Sequence, residues 1–479
     1  MALDSEKKRQ IIDYIREQIA QADFRAGAYV LDDAGKKRPT RNIYVRLNRY
    51  LGEFLGGKHE NRLIILTGLR GAGKTTLLSQ LFIQYKTPEV YSIFLSVDQI
   101  VQILEVSLYD FLSVFEQYIG KTFEQLDKPL LLFLDEVQYE EKWGIILKSI
   151  FDRSRKVFVM ATGSSALHLN TNADITRRAV MERLFPMSFS EYLKIKFNKF
   201  EVKGLAATIR QALFESTSAG EVYRGLHLLE SKINSYLSDV NKLEVDNYIR
   251  YGTLPFMVAI NNEALIYDKI EKNVERIISL DVAPFSNFSS EIVSRIPAVL
   301  YAIADADVVV LSNLAPKLEI SRPKLMEIFD VLEKTETIVR VYPHGGHYSQ
   351  TNKPSKYLFS SPAFRSMYYN SIGSVKKRED AMGKLLEDTV GMYLLRYFGN
   401  KTNISLTYDS SAGGADFIVS QGDKRIILEV GMGEKGFAQI TNTAGKAPAK
   451  YGLVVTEDRL FLSEKDNAVS IPLEYFLLI

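Results

Sequence analysis

The octet Gly68-Leu69-Arg70-Gly71-Ala72-Gly73-Lys74-Thr75 satisfies G-x-x-x-x-G-K-[ST] in full and constrains this chain more than any other feature. Leu63-Ile64-Ile65-Leu66-Thr67 before it is an apolar run that reads as a strand. Thr76-Leu77-Leu78-Ser79-Gln80-Leu81-Phe82 after it reads as the start of a helix. A strand turning through glycines into a helix can cradle phosphate. The glycines let backbone N–H groups turn inward, and the helix N-terminus adds partial positive charge. On this reading Gly68, Arg70, Gly71, Ala72, Gly73, Lys74, Thr75 and Thr76 line a site for the phosphates of ATP. Lys74 would reach the β- and γ-phosphates, and the Thr75 hydroxyl would ligate Mg²⁺.

Downstream, Leu130-Leu131-Leu132-Phe133-Leu134 ends in Asp135-Glu136. Five consecutive apolar residues suit a strand buried on both faces of a parallel sheet. Asp135 is then the second metal-holding group, and Glu136 the carboxylate that polarises the attacking water. Tyr91 to Val97 reads as a further strand, so the sheet should insert a strand between the loop strand and the Asp-Glu strand. Lys156 to Ser165 is a strand ending in hydroxyls. Thr162 and Ser164 there would either sense the γ-phosphate or merely cap the turn.

The chain has 479 residues, 46% of them hydrophobic, enough for about three packed domains. Its net charge of +2 neither demands nor forbids a nucleic-acid partner. It has no cysteine, which excludes disulfides, thiolate catalysis and cysteine-ligated zinc, and its five histidines show no metal-ligand spacing. Met1 to Arg9 is polar and no stretch reaches membrane-spanning length, so the expected location is the cytoplasm.

The pattern along the chain suggests four parts. Residues 1–195 hold N-terminal helices and the nucleotide core, with a polar loop at 32–41 and a helix near 42–55. Residues 196–290 look almost wholly helical and read as a lid. Residues 291–370 run helix, short helix, helix, strand, Gly345-Gly346 turn and strand, the pattern of a winged helix-turn-helix. There Ser321 can cap the helix that begins at Arg322, and Pro323 fits its first turn. That helix would offer Arg322 and Lys324 to DNA, and the wing His344, His347 and Lys353. Residues 321–356 hold six Lys/Arg against four Asp/Glu, so the basic bias is weak and packing against protein stays open.

In residues 371–479 a helix containing Glu387 precedes strands bearing Asp416 and Glu429. This order resembles the restriction-endonuclease-like core, of the PD-(D/E)xK kind. The resemblance implies an Asp and a Glu that bind Mg²⁺ and a lysine two residues after the Glu. Gly431 stands at that lysine's place, so the expected domain is an inactive remnant that binds DNA without cutting it. Lys376, Lys377 and Arg378 would meet phosphates.

Beyond these parts, the chain from about Tyr44 resembles a prokaryotic AAA+-type P-loop ATPase family with an N-terminal AAA domain and a C-terminal domain of unknown function. The residues carrying the likeness are Leu66 to Thr75, Leu134-Asp135-Glu136-Val137-Gln138 with Trp143, Ala161 to Ala166, Leu184 to Leu193 and Tyr251 to Phe256. The family shows Gly-Arg where this chain has Arg177-Arg178. The resemblance therefore makes Arg178 the candidate arginine finger across a subunit interface; a surface helix charge is the alternative. It also implies ring assembly, with a homo-hexamer expected, and DNA-linked roles.

The expected fold class is α/β: an AAA+ core with helical lid, a winged helix, and a C-terminal α/β nuclease-like domain. The expected activity is ATP-driven remodelling of DNA, branched structures included. The alternative is a slow nucleotide-dependent switch, in signalling or phage defence, acting on a protein partner.

Overall fold

The computed structural model describes residues 4–164, 173–346, 353–371, 378–399, 401, 403–433, 436–457 and 459–479. The chain divides into two compact units, Met1–Phe185 and Pro186–Ile479.

Among the described residues, the first unit is built on five strands: β1 (Leu63–Gly68), β2 (Tyr91–Ser96), β3 (Leu130–Asp135), β4 (Val157–Gly163) and β5 (Val180–Leu184). All pair in parallel, in the order β2-β3-β4-β1-β5. Every residue of β1, β3 and β4 is buried, as continuous Leu/Ile/Val runs require when helices cover both faces. β4 is the inserted strand. It pairs Leu66 with Thr162 on one side and Leu134 with Ala161 on the other. The phosphate loop, Asp135 and Thr162 therefore come together at the carboxyl end of the sheet, where open α/β sheets hold ligands. The first helix, Ser5–Val30, buries Ile11 and Ile15 in the same core as Leu63, Phe111 and Leu132.

The second unit takes in all of 196–290, 291–370 and 371–479. Its strands are β6 (Ile338–Pro343), β7 (Lys356–Phe359), β8 (Ile404–Tyr408), β9 (Phe417–Gln421), β10 (Lys424–Val430), β11 (Tyr451–Thr456), β12 (Phe461–Ser463) and β13 (Ala468–Pro472). They form one sheet in the order β12-β13-β11-β10-β9-β8-β6-β7. The hairpin read as the wing forms the edge of a larger sheet, with Tyr342 and Pro343 of β6 pairing in parallel with Thr407 and Tyr408 of β8. The helices preceding it, Ser290–Asp305, Leu311–Lys317 and Arg322–Lys334, follow the expected order. Ser321 takes the cap position of the third without a side-chain cap bond.

The helices expected as a lid bury their apolar faces in this unit's own core. Leu205, Ile209, Leu226 and Tyr248 belong to one cluster with Leu358, Tyr393, Phe417, Leu428 and Phe476. The Tyr451 hydroxyl donates to Leu213 O at 2.8 Å. That of Tyr393 donates to Leu477 O at 3.0 Å and accepts from Phe189 N at 2.7 Å. An amphipathic pattern says which face is apolar but not what covers it. A buried ion pair closes the unit: Arg365 Nε lies 2.6 Å from Asp388 Oδ2, and its Nη1 donates to Ala304 O at 2.7 Å. Both side chains are essentially unexposed, so the two charges are tolerable only as a pair.

Candidate nucleotide site

The loop is held by steric necessity at Gly68. A Cβ there would lie 2.4 Å from Leu184 O of the neighbouring strand, a distance no side chain tolerates. Gly73, at φ +99°, makes the left-handed turn that starts the helix Lys74–Tyr85. Thr75 and Thr76 occupy that helix's first turn. Lys74 is buried, and its Nζ donates to Gly68 O at 2.9 Å and Leu69 O at 3.2 Å. The ammonium therefore reaches back over the loop rather than out to solvent.

Thr75 Oγ1 donates to Asp135 Oδ2 at 2.8 Å, and the Thr162 hydroxyl donates to the other oxygen, Oδ1. Burial, and then the neighbouring Glu136 charge, push the Asp135 carboxyl up to about 6, against the hydrogen bonds from Thr162 and Thr75. Asp135 is thus a buried carboxylate beside a hydroxyl oxygen, with the Lys74 charge near it. That donor set suits a hard divalent cation, so Thr75 and Asp135 fit Mg²⁺. When bound, the ion would neutralise charge developing on phosphate oxygens.

Glu136 sits in the left-handed region, at φ +56°. Its N–H donates to Thr162 Oγ1 at 3.2 Å. Its Oε2 accepts from Gln138 Nε2 and lies 3.7 Å from the Arg70 guanidinium. Gln138 Oε1 in turn accepts from Ser164 N at 3.4 Å. Thr162 and Ser164 therefore converge with both carboxylates on one cluster.

Two residues of this cluster escaped the sequence reading. Gln138 lay within a quoted motif but had no assigned role. Arg41, read only as the end of a polar loop, is 5% exposed, and its guanidinium donates to Ala72 O at 2.7 Å and Phe185 O at 2.8 Å. No local signal distinguishes it from Lys36, Lys37 or Arg38.

The remaining candidates lie elsewhere. Arg178 makes a two-point pair with Asp152, Nε to Oδ1 at 2.8 Å and Nη2 to Oδ2 at 3.1 Å. Arg322 is exposed at the start of its helix. Lys324 donates to Glu327 Oε2 at 2.6 Å and lies 5.1 Å over the Phe288 ring. Lys353 donates to Ser410 Oγ at 3.2 Å. His344 Nδ1 lies 3.1 Å from Thr407 Oγ1, so it faces β8. His347, Lys376 and Lys377 lie outside the described residues, as does the side chain of Arg378. Among the described residues, no helix is long and apolar enough to cross a membrane.

A family model for an AAA domain matches residues 60–193, a span that includes the loop, both carboxylates, Thr162, Ser164 and Arg178. The uncharacterized protein MJ1637 of Methanocaldococcus jannaschii is 31% identical, over 98% of this chain and 94% of its own length. A second uncharacterized protein of that organism, MJ1544, is 20% identical over 46% of this chain and 42% of its own length. Among solved structures, the Walker-type ATPase PABY2304 of Pyrococcus abyssi covers 69% of this chain and 98% of its own at 15% identity. Its TM-score of 0.38 is too low for the likeness to carry weight. The matched span is a P-loop ATPase domain of the AAA kind.

Proposed function

This chain belongs to the family of the Methanocaldococcus jannaschii protein MJ1637, and from that premise we infer that it is an Mg-ATP-hydrolysing AAA+ ATPase that binds and remodels DNA as a hexameric ring. The observation that carries the ATPase reading is the convergence of Lys74, Thr75, Asp135, Glu136 and Thr162 on one sheet end. Lys74 exchanges the carbonyls of Gly68 and Leu69 for β- and γ-phosphate oxygens. Thr75 and Asp135 would hold the cation, which would supply positive charge to the phosphate oxygens. Glu136 takes a proton from water as the water oxygen bonds to the γ-phosphorus. The bond from that phosphorus to the β–γ bridging oxygen breaks, and ADP leaves with the electron pair. Thr162 and Ser164, tied to Asp135 and to Glu136 through Gln138, relay the presence of the γ-phosphate to those carboxylates. Arg178 leaves Asp152 to act on a neighbouring subunit's nucleotide.

The DNA reading is supported by the winged-helix order of residues 290–359 and by the exposed Arg322. The strand and helix order around Glu387, Asp416 and Glu429 supports a nuclease-like fold used for binding. The test is ATP turnover against single strand, duplex, fork and four-way junction. A several-fold rise with at least one structure is expected. A flat response would overturn the DNA reading and leave the ATPase reading standing.

One observation favours a second reading. Lys324 is occupied by Glu327 and the Phe288 ring, which suits a protein-facing module and a nucleotide-dependent switch. Under that reading turnover stays slow with every DNA and rises with a protein partner.

A further inference from the structure

The second unit contains a cleft of about 350 Å³ whose lining includes Lys356, Lys384, Glu387, Asp416 and Glu429. The nuclease-like resemblance implies a divalent cation held there by Asp416 and Glu429. The observed geometry does not fit one. Lys356 Nζ lies 2.8 Å from Asp416 Oδ1 and 2.9 Å from Glu387 Oε2. Three more carboxylate oxygens are also engaged: Glu387 Oε1 accepts from Lys384 Nζ at 2.9 Å, Asp416 Oδ2 from Val430 N at 3.0 Å, and Glu429 Oε2 from Asp416 N at 3.3 Å. Among the described residues, no group of three His, Cys, Asp or Glu side chains is arranged to hold a metal.

Lys356 is 7% exposed at its side chain and opens β7, at the far edge of the sheet from β12. It therefore reaches the cleft from a different segment than Gly431, where the sequence reading looked for a lysine. A buried ammonium held by two carboxylates is strongly attracted to both, because little water screens the charges. A divalent ion would need those same oxygens at roughly 2.0–2.6 Å, and the ammonium stands between them.

We propose that Lys356 is the resident cation of this cleft: its ammonium takes the place of a metal ion, so the cleft binds no divalent cation and cuts no phosphodiester bond, and β7 is pinned to the segments that carry Glu387 and Asp416. This goes beyond the ATPase reading and does not depend on it.

The test is Mn²⁺ titration of the full, nucleotide-free chain, followed by the free-Mn²⁺ electron paramagnetic resonance signal. Wild type and Asp416→Asn should bind the same number of ions. One ion more in wild type overturns the proposal. Lys356→Met keeps the aliphatic stem and removes the charge. It should gain one Mn²⁺ site, absent from Lys356→Met/Glu387→Gln, and Mn²⁺ near 100-fold over its dissociation constant should raise Tm by roughly 5 °C or more. A folded Lys356→Met that gains no ion overturns the proposal, as does Mn²⁺-dependent DNA cleavage by wild type that Asp416→Asn abolishes. If Lys356→Met does not fold, the comparison of wild type with Asp416→Asn still decides.

Discussion

Arg70 of the phosphate loop lies 3.7 Å from Glu136 at the end of β3, joining the loop that would hold phosphate to the carboxylate that would activate water. Each side chain is about one-fifth exposed, so the pair is partly screened. Such a pair contributes about 0.5–1 kcal/mol. Arg70→Ala should release Glu136 from this hold and raise DNA-free turnover by about 2–5-fold, the rate equivalent of that energy. A steady-state ATPase assay reads it directly, and a fall in turnover would show that Arg70 assists the reaction instead.

Lys74→Ala should abolish nucleotide binding. The buried ammonium already lies over the loop, donating to the Gly68 and Leu69 carbonyls, and would turn to the phosphates when nucleotide binds. Equilibrium titration with a fluorescent ATP analogue checks this. Unchanged affinity would sink the site assignment.

Glu136→Gln should keep ATP binding and block hydrolysis, because an amide cannot take the proton from water. The variant should retain ATP in a filter-binding assay and yield a longer-lived assembly by light scattering. Turnover at the wild-type rate would remove Glu136 from the catalytic role.

Arg41→Met should destabilise the first unit by about 2–4 kcal/mol. It leaves the buried carbonyl of Ala72 and the partly buried carbonyl of Phe185 each short of a hydrogen bond. Because Ala72 belongs to the loop, ATP affinity should fall as well. Urea denaturation and ATP titration measure the two effects. Stability loss with intact affinity would make Arg41 a structural residue only.

Arg178→Ala should lose roughly 10³-fold in turnover if the guanidinium acts across an interface. Breaking its partly exposed pair with Asp152 should cost little stability, about 1 kcal/mol or less. Mixing Arg178→Ala with Lys74→Ala should restore part of the activity, since each variant supplies what the other lacks. A fully active monomeric wild type would end the finger assignment.

The two units differ in how far local sequence could be read. Around the nucleotide site the signals are local and mutually consistent. The octet, the apolar run before Asp135, and the hydroxyls at the end of β4 each name a strand end, and parallel α/β sheets gather strand ends on one side. Arg41 was invisible because what distinguishes it is a pair of backbone carbonyls, one of them far along the chain at Phe185. Gln138 was visible as a residue but not as a link, since its two partners are set by the left-handed turn at Glu136.

In the second unit the sequence by itself determined the order of helices and strands, and a glycine where a lysine was looked for. Tertiary structure decided how they combine. Whether β6 and β7 stand free or join β8 depends on which edge is available to pair, and whether a helix is a lid or core depends on what its apolar face meets. Neither is written in a window of residues. The cleft shows this most plainly, because an ammonium carries charge and reach but no address. Local sequence reports an empty lysine place at 431, while the fold brings Lys356 from another strand to within 2.9 Å of both Glu387 and Asp416.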